Sequence, residues 1–129
     1  DLEPFYALAD IYVMPSRWES FGLVFLEAMN HSLPILSSNV QAIPEVVDDG
    51  RIGLLSASEN EAELAANLEK LIANEPLRRQ FGANAKLRLE SNFSFKDFVD
   101  GHLNVYHSLR SSSIKVFLQD DSHASCFWR

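Results

Sequence analysis

"IYVMPSRWESFGLVFLEAMNHSLPILSS", residues 11–38, decides how this chain folds. Residues 11–15 are short, apolar and rich in β-formers, and Pro15 closes them. They read as a buried strand, and buried strands in α/β proteins are usually parallel. "SRWESFG" follows as a loop, and a helix is predicted from about Gly22 to Asn30. "LPILSS", residues 33–38, repeats the first strand's character. Strand, loop, helix, strand at this spacing predicts an α/β domain with a Rossmann-like parallel sheet. In such open sheets ligands bind where loops leave the carboxyl ends of the strands. "SRWESFG" at 16–22 and "SNVQAIPE" at 38–45 are therefore the segments to inspect for chemistry.

Outward from this unit, "LEPFYALAD" at 2–10 places Leu2, Phe5, Tyr6 and Ala9 on one helical face, with Leu8 beside it. After residue 38 come a short helix near Pro44 to Val47, the Asp49–Gly50 turn and a brief strand at Gly53 to Leu55. "SENE" at 58–61 reads as a capping box between Ser58 and Glu61. Leu64, Leu68, Leu71 and Ile72 form the expected buried stripe of the helix it opens. Pro76 suits the first turn of the next helix, which carries Leu77, Phe81 and Leu89. Ser94 is expected to open a last helix with Phe98, Leu103, Tyr106 and Leu109 facing inward. The tail at 110–129 has a different character, with no helical period from Ile114 onward.

The 129 residues fit one domain, and 47% hydrophobic with 22% charged residues is ordinary for a globular chain. A formal charge of -7 argues against nucleic acid as partner, because phosphate contacts need clustered Lys and Arg. Cys126 is the one cysteine, so neither an internal disulfide nor a Cys-based zinc site is expected. His102 and His107 lack metal-ligand spacing, and His31 reads as a helix-end residue. No apolar run approaches the ~20 residues of a membrane span. The first ten residues do not read as a signal peptide, and without an initiator Met the chain is read as a fragment.

Glu27 is the anomaly of the central stretch. Leu23, Val24, Phe25, Leu26, Ala28 and Met29 make the helix apolar almost all round, and such a helix is expected to be buried. An unpaired buried carboxylate costs several kcal/mol, so Glu27 should be paired, protonated or functional. A structural ion pair with Arg17 or Arg51 is one reading. The other is a ligand at the helix start, where the first amides lack acceptors and the dipole favours an anion. Gly22 lets such an anion approach the backbone. Glu19 just before the helix and Glu27 within it would then accept from hydroxyls on either side of a phosphate, since carboxylates only accept. A diphosphate between two hydroxyl-rich groups, as in a nucleotide sugar, matches this layout.

Residues 9–55 resemble the carboxyl-terminal domain of the family-four retaining glycosyltransferases, which have the GT-B fold. The resemblance rests on Pro15, Ser16, Glu19, Phe21, Gly22, Glu27 and Ala28, in the pattern P-S-x-x-E-x-F-G-x-x-x-x-E-A. Pro34, Ser38, Pro44, Glu45, Val47, Asp49, Gly50, Gly53, Leu54 and Leu55 continue it. It extends over roughly residues 3–109 as judged by the helical run, so residues 1–109 are read as part of a donor-binding domain and 110–129 as a tail outside the pattern. It implies that Glu19 is catalytic and holds donor-sugar hydroxyls. The amides around Phe21, Gly22 and Leu23 would meet the sugar or distal phosphate, and Glu27 the ribose. Ser16, Trp18 and Glu45 are further candidates.

The implied reaction transfers a hexose from a nucleotide sugar, such as a UDP- or GDP-hexose, to a polysaccharide or lipid-linked acceptor, with retention and without metal or other cofactor. The setting would be bacterial surface polysaccharide or lipopolysaccharide synthesis, in the cytoplasm or peripheral on the inner membrane face. The family's acceptor-binding amino-terminal domain, and the Arg and Lys that neutralise the diphosphate, are expected to lie before residue 1. This polypeptide alone is therefore expected to be inactive. Ser32 stands where the family often has Gly, and Gln41–Ala42 where it often has Gly-Gly. A non-catalytic remnant that binds a partner is the alternative, and a GT-B sugar-nucleotide epimerase fits "PSRWESFG" less well.

Overall fold

The computed structural model describes residues 2–111. The chain divides into two compact units, Asp1–Ser94 and Phe95–Arg129. In the first, α1 (Glu3–Leu8) leads into β1 (Tyr12–Met14), α2 (Leu23–Asn30), β2 (Ile35–Ser38), α3 (Ile43–Val46) and β3 (Gly53–Ser56). Then follow α4 (Glu61–Ala73) and α5 (Glu75–Asn92). The three strands form one parallel sheet in the order β1-β2-β3. Val13 lies opposite Leu36, and Leu36 opposite Leu54. The predicted α/β class and the strand–loop–helix–strand reading of residues 11–38 hold, and both inspected loops leave carboxyl ends of strands.

Alternation along β2 and β3 builds a core on each face. On one face Ile35 and Leu55 join Phe25, Ala28 and Met29 of α2, Ile43 and Val46 of α3, and Ala85 of α5. On the other, Leu36 and Leu54 meet Leu71 of α4 and Phe81 of α5. Two buried serines on these strands are satisfied: Ser37 Oγ donates to the Met14 carbonyl (2.6 Å), and Asn67 Nδ2 donates to Ser56 Oγ (3.0 Å). Pro76 does lie in the first turn of α5, whose cap is Asn74.

Four expectations need correction. The cap of α4 is Asn60, whose side chain accepts from the Glu63 amide (3.1 Å), while Glu63 reaches back to the Ala57 amide (2.8 Å). Glu59 is left-handed (φ 61°), so the helix cannot begin before residue 60 and Ser58 with Glu61 is displaced by two positions. Ile72 is 62% exposed, because the stripe of α4 follows Leu64, Leu68 and Leu71, and Ile72 lies a 100° step past it. In α1 only Tyr6, followed by Ala9 just beyond the helix, packs on the core. Leu2, Phe5 and Leu8 are exposed, since a six-residue helix presents one narrow stripe. α6 (Phe95–Ser111) forms the described part of the second unit, and Phe98, Leu103, Tyr106 and Leu109 are each at least 46% exposed. The tail from Ile114, with Cys126, lies outside the described residues.

Ser32 and Gln41 occupy left-handed backbone, at φ 56° and 46°. A side chain there costs energy that glycine avoids. Ser32→Gly and Gln41→Gly should each stabilise the unit by about 0.5–1 kcal/mol, read as a higher urea midpoint; an unchanged midpoint in both would contradict the strain. Asn60→Ala should cost about 1 kcal/mol by loss of the cap, checked in the same titration.

Candidate functional site

The loop from β1 to α2 folds back on itself before the helix begins. Gly22 caps α2 at φ 77°, and a Cβ there would lie 2.6 Å from the Phe25 ring and 3.3 Å from Glu19 Cγ. Only glycine permits this path. It brings the Glu19 side chain against the helix entrance. Glu19 Oε1 accepts from the Ser20 amide (3.0 Å) and, at a longer 3.5 Å, from the Phe21 amide. The Phe25 amide closes the first turn on the Gly22 carbonyl (2.9 Å). The amides of Gly22, Leu23 and Val24 have no acceptor among the described residues. Open donors at a helix start form a region of positive potential.

The premise that Glu27 is buried is overturned. Leu23, Glu27 and Asn30 fall on one exposed face of α2, while Phe25, Ala28 and Met29 point inward. A helix made almost wholly of apolar residues still turns 100° per residue, so one face meets solvent here. Nor do the arginines reach Glu27: Arg17 pairs with Glu59 and Arg51 with Asp48, each at 3.0 Å. The partner of Glu27 is the Tyr6 hydroxyl, which donates to Oε2 at 2.8 Å.

Two tyrosines outside the candidate residues, Tyr6 of α1 and Tyr12 of β1, lie beside this helix. The Tyr6 ring stacks with Tyr12 (centroids 5.8 Å apart) and with His31 (5.4 Å). Tyr12 in turn meets the buried Phe25 ring edge-on at 6.1 Å. Burial raises the Tyr6 phenol far above its ordinary range, and the bond to Glu27 adds to it. Tyr12 is raised chiefly by burial, with further contributions from the carboxylates of both Glu27 and Glu19. No local pattern in the sequence marks these residues, since the Tyr6–Glu27 bond joins positions 21 apart.

The remaining candidates stand apart. Ser16 and Arg17 line a crevice of about 280 Å³ at the strands' carboxyl ends, with Ser38, Ser56 and Asn60. Glu27 lines a different cavity of about 480 Å³, with Glu3, Tyr6, Asn30 and His31. Trp18 is 68% exposed on the loop and makes no ring contact among the described residues. Glu45 is exposed on α3 and its carboxylate has no partner among the described residues; its carbonyl accepts from Arg88 (2.7 Å). His31 caps the end of α2, and its Nε2 lies 3.2 Å from Glu3. Among the described residues, no three His, Cys, Asp or Glu side chains cluster in a way that could hold a metal.

The family model described as glycosyl transferases group 1 matches residues 1–88. An uncharacterized glycosyltransferase of Methanocaldococcus jannaschii is 36% identical over 109 residues, covering 84% of this chain and 31% of that protein. The capsular polysaccharide biosynthesis glycosyltransferase CapM of Staphylococcus aureus is 33% identical over 109 residues, covering 84% of this chain and 29% of the relative. Among solved structures, sucrose-phosphate synthase from Thermosynechococcus elongatus superposes with a TM-score of 0.81 at 28% identity, covering 87% of this chain and 28% of that one. The chain spans about 30% of the length of these relatives. The sheet with its helices is the arrangement of GT-B glycosyltransferases. With this loop, this helix entrance and these matches, the chain belongs to the glycosyl transferases group 1 family.

Proposed function

We propose that the complete protein transfers a hexose, with retention, from a nucleotide sugar such as a UDP- or GDP-hexose to a polysaccharide or lipid-linked acceptor, and that residues 2–94 carry part of the donor site. The observation that carries this reading is the start of α2, where the Gly22, Leu23 and Val24 amides are open and Glu19 folds against them, with Glu27 farther along the same helix on its exposed face. The amides of Leu23 and Val24 suit the distal phosphate, whose charge the helix dipole favours. Glu19 then accepts from hydroxyls of the sugar and Glu27 from those of the ribose; hydrogen bonds to ionised acceptors are the strong ones. The name of CapM supports a surface polysaccharide as the product class.

Retention follows if the leaving diphosphate, held at the helix start, guides the acceptor to the face it departs from. The cations that neutralise this diphosphate, and the acceptor surface, are assigned to sequence outside these residues. The chain alone is then not expected to turn over. We place the reaction in the cytoplasm, with the protein peripheral on the inner face of the membrane; among the described residues no helix is long and apolar enough to cross one.

The test is turnover by the complete protein on a panel of UDP-, GDP- and ADP-hexoses, with the product anomer read by NMR and EDTA added in a parallel series. Consumption of a donor with its anomeric configuration kept, unchanged by EDTA, is the expected result. Inversion, or no consumption of any donor, would contradict the proposal.

A further inference from the structure

An exposed glutamate on a helix surface normally samples several rotamers, so a ligand that needs one of them must first freeze the others out. Glu27 is not free in this way. The Tyr6 hydroxyl holds its Oε2 at 2.8 Å. The Tyr6 ring is itself held by two stacked neighbours, Tyr12 at 5.8 Å and His31 at 5.4 Å with only 14° between the planes. His31 is anchored in turn: its side chain is 14% exposed and its Nε2 meets Glu3. Tyr12 is anchored on the buried Phe25. The chain of contacts therefore runs from the core, through two phenol rings, to one oxygen of a surface carboxylate. The other oxygen, Oε1, has no donor among the described residues.

We propose that Tyr6 is a positioning residue: it pins Glu27 in one rotamer so that Oε1 is presented, already ordered, to the ribose hydroxyls of the donor. This rests on the assignment of Glu27 to the ribose. The phenol suits the task. It is one rigid donor with few rotors, and a tyrosine phenol is protonated at neutral pH, so it donates. It adds no charge, so it leaves the carboxylate ionised and able to accept. Tyr6→Phe removes one oxygen atom and keeps the stack, which makes it a clean probe of the hydrogen bond.

The experiment titrates the complete protein calorimetrically with UDP, GDP and ADP, each beside its 2′,3′-dideoxy counterpart, using wild type, Tyr6→Phe and Glu27→Ala. Tyr6→Phe should weaken the ribose-bearing nucleotide by about tenfold, the scale of one hydrogen bond to a charged group, and change the dideoxy form less than about twofold. Glu27→Ala should show the same discrimination more strongly. Equal weakening of both nucleotides by Tyr6→Phe would mean that the tyrosine only supports packing, which overturns the inference. So would no effect of Tyr6→Phe where Glu27→Ala still discriminates; the ribose assignment would then survive alone. If Glu27→Ala fails to discriminate, or wild type binds none of the nucleotides, the ribose assignment itself is overturned and the inference with it.

Discussion

Gly82→Ala is expected to destabilise the first unit by about 3 kcal/mol or more. Gly82 is buried in the middle of α5, and a Cβ built there would lie 2.0 Å from the carbonyl oxygen of Ser32 and 2.9 Å from its carbon. Both obstacles are backbone, so no rotamer change can relieve them. The Ser32 turn cannot retreat easily, because it links α2 to β2 and already holds a left-handed residue. α5 contributes to both cores through Phe81 and Ala85, so a shift of this helix disturbs both faces of the sheet. For a domain of this size the melting temperature should fall by more than about 10 °C. Gly101→Ala is the matched control. It lies in α6, meets nothing within 4 Å, and should gain up to about 1 kcal/mol from helix propensity alone. A Gly82→Ala protein that melts like wild type would contradict the close approach of α5 to the α2–β2 turn.

Glu27→Ala in the complete protein is expected to lower kcat/KM for the nucleotide-sugar donor by about 100-fold, two hydrogen bonds to a charged acceptor at about 1.5 kcal/mol each. Most of the loss should appear in KM, because the ribose lies away from the reacting carbon and is held alike in ground and transition states. Glu27→Gln keeps an acceptor oxygen but not the charge and should lose about tenfold. Glu27 is exposed and its side chain bonds only the Tyr6 hydroxyl among the described residues, so the melting temperature should stay within a few degrees. Steady-state kinetics on the donor separates these outcomes, and a change below about twofold in both variants would remove Glu27 from the site.

Much of this was legible in the sequence, for reasons that differ by element. Residues 11–38 announce themselves because β1 and β2 are short apolar runs bounded by Pro15 and by the turn at Ser32. The unusual backbone at Ser32 and Gln41 was legible too, since each stands where glycine is the common residue in the sequences it resembles. The orientation of Glu27 was not. Composition showed α2 to be apolar, but which 100° sector faces solvent depends on where α1, β1 and β2 lie, and that is tertiary information. The same limit hid Tyr6, whose bond to Glu27 spans 21 positions in the chain. The cap of α4 was misplaced by two residues because Ser58-x-x-Glu61 and Asn60-x-x-Glu63 are both plausible capping patterns. The left-handed Glu59 chose between them.

The most direct test of the two-acid site is a crystal structure of the complete protein with the nucleoside diphosphate that binds it best. The expected density places the distal phosphate on the amides of Leu23 and Val24, with the ribose hydroxyls about 3 Å from Glu27 Oε1 and Glu19 beyond the phosphate on the sugar side. A nucleotide bound elsewhere, with both carboxylates facing solvent and the α2 entrance empty, would contradict it.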